Sequence, residues 1–172
     1  MGTYASPIKD PSIKYKLIGV AAILAVAGTG GLLLSTKEHE GLRYSTYLDP
    51  VGVPTICYGH TGPDVKRGMT LTKAQCDTLF QLDWAKHEAG VLKCTKVPLT
   101  ANQQWAVTDF AYNLGVSRYC NSTLAKKLNR GDYQGASNEF PKWVYGNVRG
   151  KATVLPGLVK RRAFEREAFL TP

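Results

Sequence analysis

The sequence contains a run of 20 consecutive uncharged residues, from Leu17 to Thr36, bounded by Lys16 and Lys37. As an α-helix, this run would be about 30 Å long, which matches the hydrocarbon core of a bilayer. Four glycines lower its hydrophobicity and its helix propensity, so it would be a weak span. Three lysines precede it and favour a cytoplasmic N-terminus. We therefore interpret residues 1–16 as a cytoplasmic basic N-terminus and residues 17–36 as a membrane-directed segment.

Three interpretations of this run remain open at this stage. In the first it is a cleaved signal peptide, with an apolar region over Leu17–Leu24 and a cut after Ala27 at a small-residue site. In the second it stays in the membrane as an anchor. In the third it is a buried core helix. The absence of polar positions argues against the third, because a helix of a soluble domain usually shows a single apolar stripe.

Residues 37–172 are predicted to form one domain of the α+β class, mostly α. An apolar content of 44% excludes a disordered chain, and the length suits a single core. Tyr44–Leu48 and Val53–Tyr58 are rich in β-branched and aromatic residues, and turn-forming residues 49–52 separate them, which predicts a hairpin. Pro54 lacks an N–H group, and we expect its strand to lie at a sheet edge.

The rest of the domain has helical patterns. Two capping boxes predict helix starts, at Thr72 with Gln75 and at Thr100 with Gln103. An apolar stripe follows the second box and ends at Gly115. Further helices are predicted over Leu124–Leu128 and Gly157–Leu170, and Arg161 and Glu165 stand four residues apart in the last of them.

Two carboxylates flank the first strand of the predicted hairpin. Glu40 lies in the polar stretch that leads into the hairpin, and Asp49 lies at its turn. A desolvated carboxyl group can keep its proton and act as an acid, whereas a carboxylate at an open turn stays ionised and can orient water. Glu40, Asp49 and the nearby Thr55 are therefore candidate catalytic residues, although the same spacing also occurs in solvated pairs without function.

Short motifs extend this constellation through nearly all of residues 37–172. They are Glu40-Gly41-Leu42-Arg43, Asp49, Thr55–Gly62, Val97–Thr100, Phe110–Gly115, Ser122–Leu124, Leu128–Asp132 and Gly157–Arg162. In order and spacing this series resembles the phage T4-type lysozymes, and especially the shorter endolysins of lambdoid phages. The resemblance implies a lysozyme-like fold, in which a small β-hairpin region adjoins the active-site cleft and a helical C-terminal lobe follows.

The resemblance also implies an activity, which is hydrolysis of the β-1,4 bond between N-acetylmuramic acid and N-acetylglucosamine in peptidoglycan. Glu40 matches the general acid of the family, Asp49 the carboxylate that positions water, and Thr55 the hydroxyl beside it. Gly59 and Asn113 match positions at the saccharide. No metal or other cofactor is expected. The resemblance further implies that His60 is a structural histidine paired with an acid.

Four cysteines allow three full pairings. The resemblance favours the pairs Cys57–Cys76 and Cys94–Cys120, which would form after export. Four reduced thiols in the cytosol are one alternative. Regulatory disulfide exchange is another, and it is disfavoured because no cysteine precedes Cys57.

The formal charge is +9, and residues 142–172 carry seven Lys and Arg against two Glu. Binding to anionic cell-wall polymer and to the membrane surface is enough to account for this positive charge, and we expect no nucleic-acid binding. The resulting hypothesis is a monomeric signal-arrest-release endolysin. The host secretion machinery would export it, the inner membrane would hold it inactive through residues 17–36 with a cytoplasmic N-terminus, and it would then act in the periplasm. The alternatives are a non-catalytic, membrane-tethered peptidoglycan-binding protein and a basic nucleic-acid-binding protein.

Overall fold

The structure, a computed structural model, describes residues 36–37, 40–49 and 52–171. Its elements are mostly helical with two small antiparallel sheets, which confirms the predicted α+β class. The predictions for residues 1–16 and for the uncharged run lie outside the described residues, except at Thr36. Among the helices that are described, none is long and apolar enough to cross a membrane.

Three strands form the first sheet, in the order β1-β2-β3. They are β1 (Arg43–Leu48), β2 (Pro54–Cys57) and β3 (His60–Thr61). The first two strands form the predicted hairpin. The expectation that Pro54 marks an edge strand is wrong, because β2 is the central strand. Pro54 is the first residue of β2, and β3 pairs only with the two residues that follow it, so the missing N–H group removes no bond from that ladder.

Six helices follow the sheet along the described chain. They are α1 (Lys73–Cys94), α2 (Ala101–Leu114), α3 (Val116–Asn121), α4 (Thr123–Leu128), α5 (Tyr133–Ser137) and α6 (Pro156–Leu170). Both predicted capping boxes are present, at the starts of α1 and α2. Gly115 ends α2, with a φ of 93° that a side chain would disfavour. Between α5 and α6 lie a 3₁₀ turn over Phe140–Lys142 and a second hairpin.

The central helix is α2, whose residues 105–111 are all buried. It packs against α1 on one side and against α6 on the other. Large side chains from the sheet and five of the helices fill the space around it; they include Ile56, Phe80, Val91, Trp105, Phe110, Tyr119, Leu124, Leu128 and Phe169. A polar side chain on α2 therefore faces neighbouring elements instead of water, and this determines the chemistry of the site.

The second hairpin was not predicted from the sequence. Its strands are β4 (Tyr145–Val148) and β5 (Lys151–Val154), and Arg149 and Gly150 connect them with φ angles of 51° and 82°. Two consecutive left-handed residues form the turn that matches the twist of a two-stranded hairpin. The Arg149-Gly150 dipeptide is a weaker turn sequence than Asn-Gly, and for this reason the sequence pattern does not predict the second hairpin.

Two disulfides join α1 to its neighbours. Cys57 at the end of β2 bonds to Cys76 near the start of α1, and Cys94 at the end of α1 bonds to Cys120 in α3. These are the pairs that the resemblance favoured. The first one attaches the sheet to the helical part of the domain, close to the turn that carries Gly59.

Candidate active site

Glu40 lies just before β1, and it is mostly buried, with 18% of its side chain exposed. Its Oε1 accepts a hydrogen bond from Nη1 of Arg161 on α6. Its Oε2 faces the backbone of Gly59, because a Cβ atom added to that glycine would lie 3.4 Å from this oxygen. The carboxyl group is thus held between α6 and the turn that follows β2.

The turn between β2 and β3 is tightly shaped. Gly59 has a φ of 84°, and Cys57 two residues earlier has a φ of 59°, which is uncommon for a residue with a side chain. The disulfide to Cys76 holds Cys57 in this conformation. A Cβ atom at Gly59 would be in van der Waals contact with Glu40 Oε2, so the glycine leaves this side of the carboxyl group open to a molecule that binds beside it.

A pocket opens beside this turn. It is lined by Gly59, Thr61, Asp83, Lys86, His87, Tyr112 and Val116. Burial raises the pKa of Tyr112, and the negative charges of Asp83 and Glu40 raise it further. The Tyr112 hydroxyl donates a hydrogen bond to the Tyr58 carbonyl oxygen at 3.1 Å. Glu40 does not line this pocket itself, but it neighbours two of the lining residues, Gly59 and Tyr112.

Asp49 and Thr55 lie at the other end of the first hairpin. The Asp49 carboxylate accepts a hydrogen bond from the Val53 N–H group at 2.8 Å, which fixes it at the turn. Thr55 is buried, and its hydroxyl donates to the Val53 carbonyl oxygen at 3.0 Å. The structure thus places both predicted residues around one turn.

The charged partner of Glu40 was missed at the sequence level. Arg161 and Glu165 form the expected i, i+4 pair, with Nε of Arg161 and Oε1 of Glu165 3.4 Å apart. Both side chains are buried, so this is not a surface ion pair. Asp109 of α2 is fully buried and binds the same guanidinium group. The available signal in the sequence was a charged residue within each of two apolar helical patterns, Asp109 and Arg161. Charged residues are rarely buried without a partner, so two such residues can indicate a buried ion pair.

Asn113 takes part in this buried network and is not among the residues that line the pocket in the described part of the chain. Its Oδ1 accepts a hydrogen bond from Nη2 of Arg162 at 3.2 Å. The predicted saccharide contact of Asn113 stays a prediction.

His60 connects the sheet to α1. Its Nδ1 lies 2.7 Å from Oδ2 of Asp83, and its Nε2 lies 3.0 Å from Oδ2 of Asp64. These two carboxylates raise the pKa of His60 to about 9, although burial opposes the shift. The structure therefore agrees with the predicted structural histidine paired with an acid.

Comparison with known proteins identifies the family. The phage lysozyme family model matches residues 37–165, which is most of the chain. The chain belongs to the phage lysozyme family. The endolysin of Acyrthosiphon pisum secondary endosymbiont phage 1 is 44% identical over 139 residues, or 81% of this chain and 94% of that protein. The SAR-endolysin of Escherichia phage Mu is 36% identical over 156 residues, or 88% of each chain.

Solved structures agree with this assignment. The muramidase domain of SpmX from Asticaccaulis excentricus superimposes with a TM-score of 0.77 at 31% identity, covering 83% of this chain and 97% of that one. The endolysin from Escherichia coli O157:H7 phage FAHEc1 gives a TM-score of 0.73 at 35% identity, covering 80% and 89%. The chain is therefore a phage endolysin and a glycoside hydrolase of the lysozyme type, and its substrate is peptidoglycan.

Proposed function

We propose that this phage lysozyme cleaves the β-1,4 bond between N-acetylmuramic acid and N-acetylglucosamine, with Glu40 as the general acid. The observation that carries the proposal is the position of the Glu40 carboxyl group, which is mostly buried and lies beside Gly59, one of the residues that line the pocket. A sugar chain bound there would bring a glycosidic oxygen to this carboxyl group. Proton donation to that oxygen assists departure of the leaving sugar.

In this proposal Asp49 orients the attacking water, and the Thr55 hydroxyl helps to hold that water. The hydrogen bond from the Val53 N–H group fixes the Asp49 carboxyl group at the turn, and carboxylate oxygens are hydrogen-bond acceptors that can orient water. The Thr55 hydroxyl points to the same turn, where it donates to Val53. Division of acid and water-orienting roles between two carboxyl groups is the usual chemistry of glycosidases.

The test is the Glu40→Gln variant, which keeps the shape of the side chain and removes the transferable proton. We expect release of reducing ends from purified peptidoglycan to fall by at least about 100-fold, within the range that general acid catalysis contributes. Sedimentation with peptidoglycan should persist. Reducing-end analysis of the wild-type products should find N-acetylmuramic acid, and N-acetylglucosamine ends would contradict the assigned bond. Substantial activity of the variant would overturn the role of Glu40.

A wild-type protein that binds peptidoglycan but releases no reducing ends would favour the non-catalytic alternative. A catalytically dead protein whose affinity for DNA falls steeply with salt would favour a nucleic-acid-binding protein. Two of the seven basic residues in the C-terminal stretch, Arg161 and Arg162, are buried, so they add no positive charge to the surface. This observation favours the hydrolase.

We further propose that residues 17–36 tether the monomeric enzyme to the inner membrane after export by the host secretion machinery, and that release into the periplasm activates it. Thr36, the last residue of the uncharged run, is fully buried, and its hydroxyl donates a hydrogen bond to Asp109. Lys37 binds Asp77 at 2.7 Å and lies over the ring of Tyr58. These contacts require residues 36–37 to pack on the domain, so a run embedded in the bilayer would pull them away.

Fractionation tests the release. Replacing Gly19 and Gly28 with leucine should strengthen the tether, leave the protein in the membrane fraction and abolish cell lysis, without touching the domain. Equal lysis by this variant would contradict activation by release. The N-terminal residue of the wild-type periplasmic protein separates the routes, because Met1 or Gly2 indicates release of the intact chain and Gly28 indicates cleavage after Ala27.

A further inference from the structure

A cluster of buried charges lies behind Glu40. It consists of Asp109 on α2 together with Arg161, Arg162 and Glu165 on α6, and each of these side chains is at most 4% exposed. Removing charges from water costs several kcal/mol per ion unless they are well paired, and apolar residues would often stabilise such a site equally well. The cluster also contacts the proposed general acid directly, through the hydrogen bond from Arg161 to Glu40.

The Arg161 guanidinium group donates hydrogen bonds to two carboxyl groups and lies 3.4 Å from a third, that of Glu165. Nε and Nη2 donate to the two Asp109 carboxylate oxygens at 2.9 and 3.0 Å, and Nη2 also lies 3.3 Å from the Asp109 carbonyl oxygen. Nη1 donates to Glu40. A side-on pair of hydrogen bonds fixes the plane of a guanidinium group. Asp109 therefore determines where Nη1 points, and through it where the Glu40 carboxyl group lies.

The charge of Arg161 would by itself work against a general acid. A cation within about 4–6 Å of a carboxyl group favours loss of the proton, by 1–3 pH units in typical cases. Burial raises the pKa of Asp109, but the Arg161 charge and the hydrogen bonds from Glu165, Arg161 and Thr36 together hold it below the ordinary value. Asp109 is thus an anion that offsets the cation beside Glu40.

Other groups around Glu40 complete the electrostatic environment. Burial raises the pKa of Glu165 well above its ordinary value, while the charges of Arg162 and Arg161 oppose the shift. Arg162 pairs with Glu165 at 2.5 Å and lies over the Phe110 ring. Tyr112 on α2 and Asp83 on α1 face the pocket, and Lys37 is bound to α1. Among these charged groups, Asp109 is the one whose carboxylate accepts two hydrogen bonds from Arg161, so it is the direct counter-charge of the guanidinium group.

We propose that Asp109 is a positioning residue of this lysozyme. It orients Arg161 toward Glu40 and balances the guanidinium charge, so that the Glu40 carboxyl group is held beside Gly59. The proposal rests on the proposed role of Glu40 as general acid. Nothing in it requires Asp109 to touch the substrate.

The test is the Asp109→Asn variant, which keeps the side-chain shape and removes the charge. We expect kcat on purified peptidoglycan to fall at least about tenfold, with the apparent KM little changed. The high-pH limb of the kcat profile should move about one pH unit lower, since an unbalanced cation promotes loss of the Glu40 proton. A folded variant with the wild-type kcat and pH profile would overturn the proposal.

The double variant Asp109→Asn with Arg161→Gln is the second measurement if the single variant fails to fold, because it removes both charges and does not leave Arg161 buried without Asp109. We expect a low kcat, since Glu40 has lost its partner, with the high-pH limb at or above that of the wild type. A wild-type kcat in the double variant would equally overturn the proposal. If Glu40→Gln is inactive on peptidoglycan and Asp109→Asn has the wild-type kcat and pH profile, only the role of Asp109 is rejected. If Glu40→Gln is active, the proposed function itself is rejected.

Discussion

His60 Nδ1 lies 2.7 Å from Oδ2 of Asp83, and this contact joins β3 to α1 beside the pocket. The pKa of His60 is raised to about 9, so the contact should stabilise the fold most when the imidazole is charged. The stabilisation is fully present below pH 6.5, the ordinary value for histidine, and is lost as pH rises through about 9.

We therefore predict that Asp83→Asn lowers the free energy of unfolding at pH 6 by about 2 kcal/mol, the usual contribution of a hydrogen bond to a charged group. The difference from the wild type should shrink as pH rises past 9, in urea unfolding at a series of pH values. Asp64→Asn is the matched control, because Asp64 binds the other ring nitrogen but is 54% exposed, and its loss should matter less. A pH-independent difference for Asp83→Asn would contradict the assignment.

Lys37 and Lys73 make a second matched pair. Both bind Asp77 at 2.7 Å, but Lys37 is largely buried and its ammonium also lies 5.1–5.2 Å from the Tyr58 and Phe80 ring centres. We predict that Lys37→Ala destabilises the domain by about 1–2 kcal/mol, whereas Lys73→Ala, on an exposed i, i+4 pair, costs less than about 0.5 kcal/mol. Thermal or urea unfolding of the two variants checks this, and equal effects would refute it.

The same Asp77 predicts acid sensitivity. Hydrogen bonds from Lys37 and Lys73 hold the pKa of Asp77 well below its ordinary value. A carboxylate with a depressed pKa contributes stability that is present above about pH 4 and is lost as pH falls through the folded value. Asp77→Asn should therefore unfold more easily at pH 6 yet lose less stability than the wild type between pH 5 and pH 2. Parallel acid titration curves for the two proteins would contradict this.

Gly59 tests the geometry around the acid. A methyl group there would sit 3.4 Å from Glu40 Oε2, at a backbone φ of 84°. We predict that Gly59→Ala loses at least about tenfold in activity and about 1–2 kcal/mol in stability, the usual cost of a left-handed residue with a side chain. Gly131→Ala is the control, because φ is 79° there but nothing lies within 4 Å of the added atom. It should lose comparable stability and keep its activity; a similar activity loss in both would discredit the steric explanation.

The disulfides should differ in their functional effect. Cys94 and Cys120 are 26 positions apart, and neither of them lines the pocket. Replacing both with alanine should destabilise the domain by about 3 kcal/mol and leave the activity of the folded protein at low temperature unchanged. Replacing Cys57 and Cys76 should lower activity as well, because Cys57 is two residues from Gly59 in the turn beside Glu40. Equal activity of the two double variants at low temperature would contradict this.

Local chemistry along the chain was enough to predict several elements. The hairpin around Asp49 follows from its turn residues, and both capping boxes follow from a hydroxyl residue three positions before glutamine. Such features are predictable because the atoms that form the bonds are close in sequence. The error at Pro54 has the same origin, since the rule for proline in a strand takes no account of β3, which ends before it reaches Pro54.

By itself, the sequence determined the α+β class, the main helices and the candidate acid Glu40. The site around that acid was decided by tertiary structure, because Arg161 lies 121 positions from Glu40 and 52 from Asp109. Helical periodicity indicates which face of α2 or α6 is apolar, but it does not indicate which face meets which. From sequence alone, a charged residue is predicted to be solvent-exposed, because its burial depends on how the helices pack. Only the packing of α2 against α6 shows that Asp109 and Arg161 are buried partners behind the proposed acid.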